Sequence, residues 1–298
     1  MKLVLDALQL GMIYAILAFG IYISFRILSI PDLTTEGSFM FGMAVSAMLT
    51  NAGYPVLALF AAMAAGAAAG VATALMQTRL KIHPILAGII TTSGLYSINL
   101  MTQGNAVNVS LLRATTLFKM VPFLSKNDAK TVLPIVITLL AGLVLVLFFH
   151  THLGMCIRAV GDNEAMVRAS SINTDACKIQ AFCISNGFIA LSGAVMAQYQ
   201  GFSDISSGTG TLVVGLASVI IGEAFFGRRG VTVGFLSAMV GSVLYRLILE
   251  LAMKYSPLQQ YMLKLVSAVI VALALSIPAL RDTVREAGLR RRGRKRNA

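Results

Sequence analysis

Residues 153–173 read Leu153-Gly154-Met155-Cys156-Ile157-Arg158-Ala159-Val160-Gly161-Asp162-Asn163-Glu164-Ala165-Met166-Val167-Arg168-Ala169-Ser170-Ser171-Ile172-Asn173, a polar, charged stretch in an otherwise apolar chain. Long apolar runs flank it on both sides, so it reads as a water-exposed element held between membrane helices, where a membrane protein meets a soluble partner. Gly154 and Gly161 permit turns, Asp162 or Asn163 can cap a short helix, and Glu164 to Ser170 makes one or two helical turns. Ala165, Met166, Ala169 and Ile172 then form a modest apolar face beside Arg158, Glu164 and Arg168. A short amphipathic helix of this kind suits docking in a groove on another protein.

Composition extends this reading to the whole chain. Of its 298 residues 57% are hydrophobic and 12% charged, with a mean hydropathy of +0.81, which marks an all-α, polytopic membrane helix bundle. Apolar stretches long enough to cross about 30 Å of hydrocarbon occur near 6–25, 56–76, 84–101, 131–150, 179–200, 211–227, 231–253 and 258–279. A shorter one over 37–51 brings the expected count to nine transmembrane helices. Lys2 and the apolar run after it show no small-residue cleavage signature, so the first span is read as retained.

The net charge of +12 does not point to nucleic acid. Eight of the 24 basic residues fall in 281–298, which leaves +6 spread over the remaining loops. The expected layout is a transmembrane domain over 1–280 and a basic cytoplasmic tail over 281–298 lying near anionic membrane lipid. With nine crossings, that tail, Arg228-Arg229, the central segment and the Arg79-Lys81 turn share one side, which is expected to be the cytoplasm. The N-terminus, residues 102–130 and the Gly201 to Gly210 turn lie outside. Arg113, Lys119, Lys126 and Lys130 put four positive charges in that outer 102–130 segment, which is long enough to be re-entrant or surface-lying.

Chemistry-bearing motifs are sparse. No phosphate-cradling Gly-x-x-x-x-Gly-Lys-Ser/Thr loop is present, Cys156, Cys177 and Cys183 form no Cys-x-x-Cys pair, and His83, His150 and His152 have no carboxylate or thiolate cluster beside them. No catalytic, cofactor-binding or metal-binding residues are therefore expected. Glu223 stands close to Arg228 and Arg229, and Arg246 and Glu250 are four apart, so both sets read as structural charge pairs. Gly66 and Gly70, in a span of small residues over 58–74, mark close helix packing, either within one subunit or between two. Asp32-Leu33-Thr34-Thr35-Glu36-Gly37-Ser38 and Ser203-Asp204-Ile205-Ser206-Ser207-Gly208 are similar in residue type. Five crossings separate them, a placement compatible with an inverted repeat.

Residues in the central segment carry a family resemblance. Leu153-Gly154, Arg158-Ala159, Gly161-x-Asn163-Glu164-Ala165, Arg168, Ser170 and Ile172-Asn173 resemble the coupling segment of permease subunits in bacterial ABC importers of the ribose and branched-chain amino acid type. Asp32-Leu33-Thr34 with Gly37-Ser38, Gly208-Thr209-Gly210 and Gly227 to Gly234 resemble further family turns in the same order. Ser171 stands where the family has Gly, Glu36 is an additional residue type in its turn, and Glu223 with Ala224-Phe225-Phe226 replaces a smaller Gly/Ser-rich stretch.

The resemblance is nearest to the single-permease branch associated with amino-acid binding proteins, some of them for aromatic amino acids. It implies a type II-like importer permease that pairs with a second copy, two cytoplasmic ATPase subunits that bind the ATP and Mg, and an external solute-binding protein or lipoprotein. It also implies a coupling segment over 151–178 in which Gly154, Arg158, Ala159, Gly161, Asn163, Glu164, Ala165, Arg168, Ile172 and Asn173 engage the ATPase. Polar residues in apolar helices are candidates for a solute path: Glu36, Thr91, Thr92, Ser93, Asn99, Asn186 and Gln198. The alternative reading is a stand-alone secondary transporter or channel driven by an ion gradient.

Overall fold

Apolar length dictates the elements, and in the described residues (2–120, 126–227, 230–255, 265, 268, 269 and 272) a computed structural model has seven helices long and apolar enough to cross a bilayer. In chain order these are α1 (Lys2–Tyr22), prolonged by a π-helical turn over Ile23–Ile27, α3 (Pro55–Thr78), α4 (Pro84–Thr102), α5 (Lys126–Phe149), α8 (Thr174–Gln200), α9 (Thr211–Phe226) with the 3-10 turn Ile205–Gly208 before it, and α10 (Val231–Tyr255). The 17-residue helix α2 (Thr35–Asn51) is the short second span of the sequence reading. Two short helices, α6 (His152–Asp162) and α7 (Glu164–Ala169), lie between α5 and α8. The expected ninth span over 258–279 and the tail over 281–298 fall outside the described residues, apart from four positions in the former.

Burial identifies the centre of the bundle. Windows of α8 and α1 are 72% and 67% buried, against 28–44% for the other long spans, so α2, α3, α9 and α10 pack around these two. Gly66 and Gly70 both face α8, where a Cβ would collide with the carbonyl oxygens of Asn186 and Phe182 respectively. This small-residue face therefore packs within the subunit. With little hydrophobic drive between helices in lipid, such backbone contact supplies the dispersion energy that holds spans together.

A two-stranded antiparallel sheet departs from the pure helix bundle. Strand β1 (Asn108–Ser110) pairs with β2 (Phe202–Asp204), Asn108 opposite Asp204 and Ser110 opposite Phe202. It clips the segment after α4 to the turn after α8, with Gln103 Nε2 donating to Ser203 Oγ at 2.6 Å. Residues 103–120 are thus a surface-lying piece on the same face as the 201–208 turn. On the other face, a cavity of about 310 Å³ is bordered by Arg26, Arg158, Asp162, Gly227 and Gly230, so those segments also share one side, as the crossing count requires.

The turn between α1 and α2 is not a surface turn. Asp32, Thr34, Thr35 and Ser38 have no exposed surface. Thr92 Oγ1 donates to Leu33 O at 2.8 Å, and Thr92 is eight residues along α4, about 12 Å from its start, so the turn lies at bilayer depth. Asp32 is held there by Thr34 N–H to Oδ1 (2.9 Å) and Asn186 Nδ2 to Oδ2 (2.7 Å), while Ser38 Oγ donates to Asn186 Oδ1 (2.7 Å). A hydroxyl chain Thr34, Thr73, Thr91 ties α2 to α3 and α4 at 2.8 and 2.9 Å.

The turn around Asp204 has the same local form as the one around Asp32, since Asp204 Oδ1 accepts from Ser206 N–H and a short helical turn follows. The two turns enter from opposite faces and meet, where Gly210 N–H donates to Glu36 Oε1 at 2.8 Å. This supports the inverted-repeat reading in local structure. One expected charge pair is not formed among the described residues, and the other cannot be followed there because its arginines lie outside them. Glu223 pairs with Arg26 at the end of α1, Arg228 and Arg229 lying outside the described residues. Arg246 forms no ion pair among the described residues, and its guanidinium carbon lies 3.9 Å from the centroid of the Tyr14 ring.

Replacing Asn186 by Leu leaves Asp32 and Ser38 without a partner on α8. A hydrogen bond to a buried charged group contributes about 1.5–3 kcal/mol. Asn186→Leu is expected to lose at least that much stability, read as a lower midpoint of thermal unfolding in detergent.

Candidate functional site

The segment between α5 and α8 is divided into α6 and α7 by a break at Asn163. Asn163 is extended (φ −157°, ψ 95°), and its side chain accepts from Met166 N–H at 3.0 Å, which starts the second helix. Thr151 caps α6 through Gly154 N–H, and Asn173 caps α8 by accepting from Ala176 N–H at 3.0 Å. Each break in the segment is thus a side-chain cap that satisfies amides otherwise without a partner.

Gly154 and Gly161 were expected to make turns, but both lie inside α6. They serve close approach. A Cβ on Gly154 would collide with Phe149 Cα, and one on Gly161 would overlap the Ile27 carbonyl oxygen. The second contact lays α6 directly on the π-helical end of α1, with Ala159 packed against the same core. Ser171 has φ of +61°, the left-handed region that costs a side-chain-bearing residue about 1 kcal/mol or more and that Gly adopts freely. That explains why Gly suits this position in the family pattern.

What the segment presents outward is short and mixed. Met166 is 61% exposed, with Ala165, Arg168 and Ala169 beside it, while Val167 is buried and Ile172 partly so. Glu164 Oε1 accepts from Arg168 Nη2 and from Lys178 Nζ, each at 2.8 Å, and Arg168 Nη2 also donates to Thr174 Oγ1 at 3.2 Å. These bonds fasten α7 to the start of α8. The Lys178 hydrogen bond foremost, and the charges of Lys178 and Arg168, hold the Glu164 carboxyl below its ordinary value of 4.5 despite partial burial. Arg158 is exposed and makes no ion pair among the described residues.

The polar residues of the spans separate into two groups. Thr91, Asn99, Asn186 and Gln198 are buried and bonded between elements: Thr91 to Thr73, Asn99 Nδ2 to Gly37 O, Asn186 to Asp32, and Gln198 Nε2 to Pro55 O. Glu36 and Thr92 are partly exposed, and Ser93 is exposed with its hydroxyl donating to Ile89 O. Sequence reasoning missed Ile27 and Arg26 as the partners of Gly161 and Glu223, because no local pattern links residues more than a hundred positions apart. The described residues contain no group of three or more His, Cys, Asp or Glu able to hold a metal ion.

Residues 3–275 match the family of permease components of branched-chain amino acid transport systems. The chain is 36% identical to the tyrosine transport system permease protein of Clostridioides difficile over 90% of its own length and 88% of that protein's. It is 34% identical to an uncharacterized Rickettsia prowazekii protein over 76% of its length and 79% of the other's. It is 26% identical to the ribose import permease protein of Escherichia coli over 74% and 68%. No solved structure gives a significant match.

Two measurements test this geometry. Ser171→Gly should stabilise the α7–α8 junction by about 1 kcal/mol, seen as slower amide exchange over 169–173. A folded-state pKa below the unfolded value stabilises above that unfolded value and is lost as pH falls through the folded one. Exchange over 164–169 should therefore stay level between about pH 6 and 8, once corrected for intrinsic rates, and rise only in acid below the ordinary glutamate value. Glu164→Gln should show the loosened state throughout, by about 1 kcal/mol or less because Glu164 and Arg168 are partly open to solvent, which screens their charges.

Proposed function

This chain belongs to the branched-chain amino acid transport permease family, the membrane component of ABC importers, and on that premise we propose that it imports an amino acid, an aromatic one foremost. The tyrosine permease of Clostridioides difficile supports that choice of solute. The complete importer comprises two copies of this permease, two cytoplasmic ATPases that bind ATP and Mg, and an external binding protein or lipoprotein that delivers the solute. The permease carries no ATPase site and performs no chemistry. It resides in the bacterial inner membrane, with residues 1–280 as the transmembrane domain and the basic 281–298 tail in the cytoplasm near anionic lipid.

The observation that carries the mechanism is the seat of Gly161 on Ile27. When ATP closes the ATPases, their grooves move α7 through Ala165, Arg168 and the exposed Met166, and α6 moves with it. Gly154 packs against the end of α5 and Gly161 against the end of α1, so the displacement passes into two spans. A packed contact of this kind transmits a shift because it switches between discrete arrangements rather than deforming. The Arg26–Glu223 pair links the same end of α1 to α9, whose far end meets Glu36. Glu36, Thr92 and Ser93 line the solute path, and Thr91, Asn99, Asn186 and Gln198 hold the helices that frame it.

Proline at Ala165, or glutamine at both Arg158 and Arg168, should abolish ATPase binding in pull-down and ATP-driven uptake in proteoliposomes. Uptake that persists without any ATPase and follows a proton or sodium gradient would instead establish a secondary carrier.

A further inference from the structure

The cavity between the end of α1, α6 and the α9–α10 junction is lined by charges that the fold satisfies only in part. It encloses about 310 Å³, at the lower end of the range of about 300–1,000 Å³ for small-molecule sites, so it suits a ligand of amino-acid size. Four charged side chains border it: Arg26, Arg158, Asp162 and Glu223. Arg26 and Glu223 pair with each other. The side chains of Arg158 and Asp162 are exposed and enter none of the ion pairs among the described residues, which leaves one cation and one anion open to a ligand in the same cavity.

The placement of these two groups follows from α6. They stand four residues apart, on one helical face and about 6 Å along the axis, and the basic residue comes first, the less favourable order for a pair within a helix. Gly161, beside them, rests on Ile27 and so holds this part of α6 against the end of α1. Another wall is bare backbone. Gly227 (φ +70°) and Gly230 (φ +136°) are positions where a Cβ would meet no atom within 4 Å, so the space beside them is open. Tyr22 and Phe25 supply the apolar border, and the Tyr22 ring is fixed by an edge contact with Phe235 at 5.2 Å between centroids.

A simple anion entering this cavity meets two carboxylates as well as two guanidiniums, and a simple cation meets the same balance, so net charge favours neither. A dipolar molecule is the complement. An α-amino acid carries a carboxylate and an ammonium on one carbon, so it accepts from Arg158 while donating to Asp162, and its side chain lies against the Tyr22 and Phe25 rings.

We propose that this cavity is a binding site for a free α-amino acid, an aromatic one foremost, taken up from the side of the membrane that α6 and α7 face. Occupancy ties α6 to the end of α1 and to the α9–α10 junction, and so stabilises the arrangement in which the cavity is formed. The regulatory consequence rests on the transport reading above, in which ATP-driven movement of α6 has to leave that arrangement. Imported solute that accumulates then slows its own import.

Binding is measured by equilibrium dialysis of labelled tyrosine and phenylalanine against the full-length permease in lipid nanodiscs, without the binding protein. One molecule should bind per permease. Tyramine and N-acetyltyrosine, each lacking one charge, should bind about tenfold or more weakly than tyrosine, as should tyrosine itself to Asp162→Asn, and Asp162→Glu should recover part of the affinity. Equal binding of N-acetyltyrosine would reduce the cavity to an anion site, and unchanged binding by Asp162→Asn would place the ligand elsewhere. Either result overturns the proposal, as does no binding of either amino acid at millimolar concentration. Feedback is read separately, in proteoliposomes that hold the permease with its ATPase and binding protein. ATP hydrolysis should fall as tyrosine is added on the ATPase side, with the concentration dependence of binding, and Asp162→Asn should relieve that inhibition. Binding and transport without inhibition would overturn the feedback step, whereas binding in a complex that transports no amino acid would support the site and overturn the transport reading instead.

Discussion

A carboxylate placed at bilayer depth must find its hydrogen-bond donors inside the protein, and the arrangement around Asp32 follows from meeting that demand. The donors are the Thr34 amide, which forces a tight turn, and the Asn186 amide, which must come from the middle of α8. Meeting both requires the chain, once α1 has crossed, to turn back into the protein interior while buried and to restart as a short helix. Ser38 then closes on the other end of the same Asn186 side chain, so one residue of α8 fixes the beginning of α2 at two points. Backbone polar groups freed by the break are covered by Thr92 and Asn99 of α4, which is why irregular backbone is tolerated at that depth.

This buried turn and the exposed α6–α7 segment are close neighbours along the chain path. Ile27, on which Gly161 rests, is five residues before Asp32. The intervening stretch includes Ser29 in the left-handed region (φ +57°), and it follows a π-helical turn, a form of helix often found where function needs local adjustment. The seat of α6 is thus next to a stretch of backbone that departs from regular geometry. The opposite face is built differently, with the β1–β2 clip and the Gln198 bonds to Ser46 Oγ, Pro55 O and Leu117 N joining four segments into one platform. One face offers a movable contact and the other a braced surface.

Much of this was legible in the sequence. Seven spans could be read from apolar length alone, because lipid imposes a length on any helix that crosses it, and the exposed segment followed from the charges between Arg158 and Lys178. The small face of Gly66 and Gly70 announced close packing, although only the fold shows that the packing partner is α8. Asp32 could be seen as a turn residue but not as a buried one, since an Asp-Thr-Thr-Gly-Ser composition is equally suited to a surface loop. Gly154 and Gly161 misled for a related reason: glycine permits both turns and close contacts, and the choice depended on Phe149 and Ile27. Arg246 and Glu250 have ideal spacing for a pair, yet Tyr14, more than two hundred residues away in sequence, captured the guanidinium.

The contact of Gly161 with the Ile27 carbonyl leaves no room for a side chain of any size, so the shape of α6 and the shape of the residues before Asp32 are matched parts. A chimera that grafts residues 151–173 from a relative onto this scaffold would carry over the donor's outward surface but not the donor's seat for α6. Exchangeable modules in this architecture therefore have to be cut as two pieces together, the exposed segment and residues 23–31, even though some 120 residues of chain separate them.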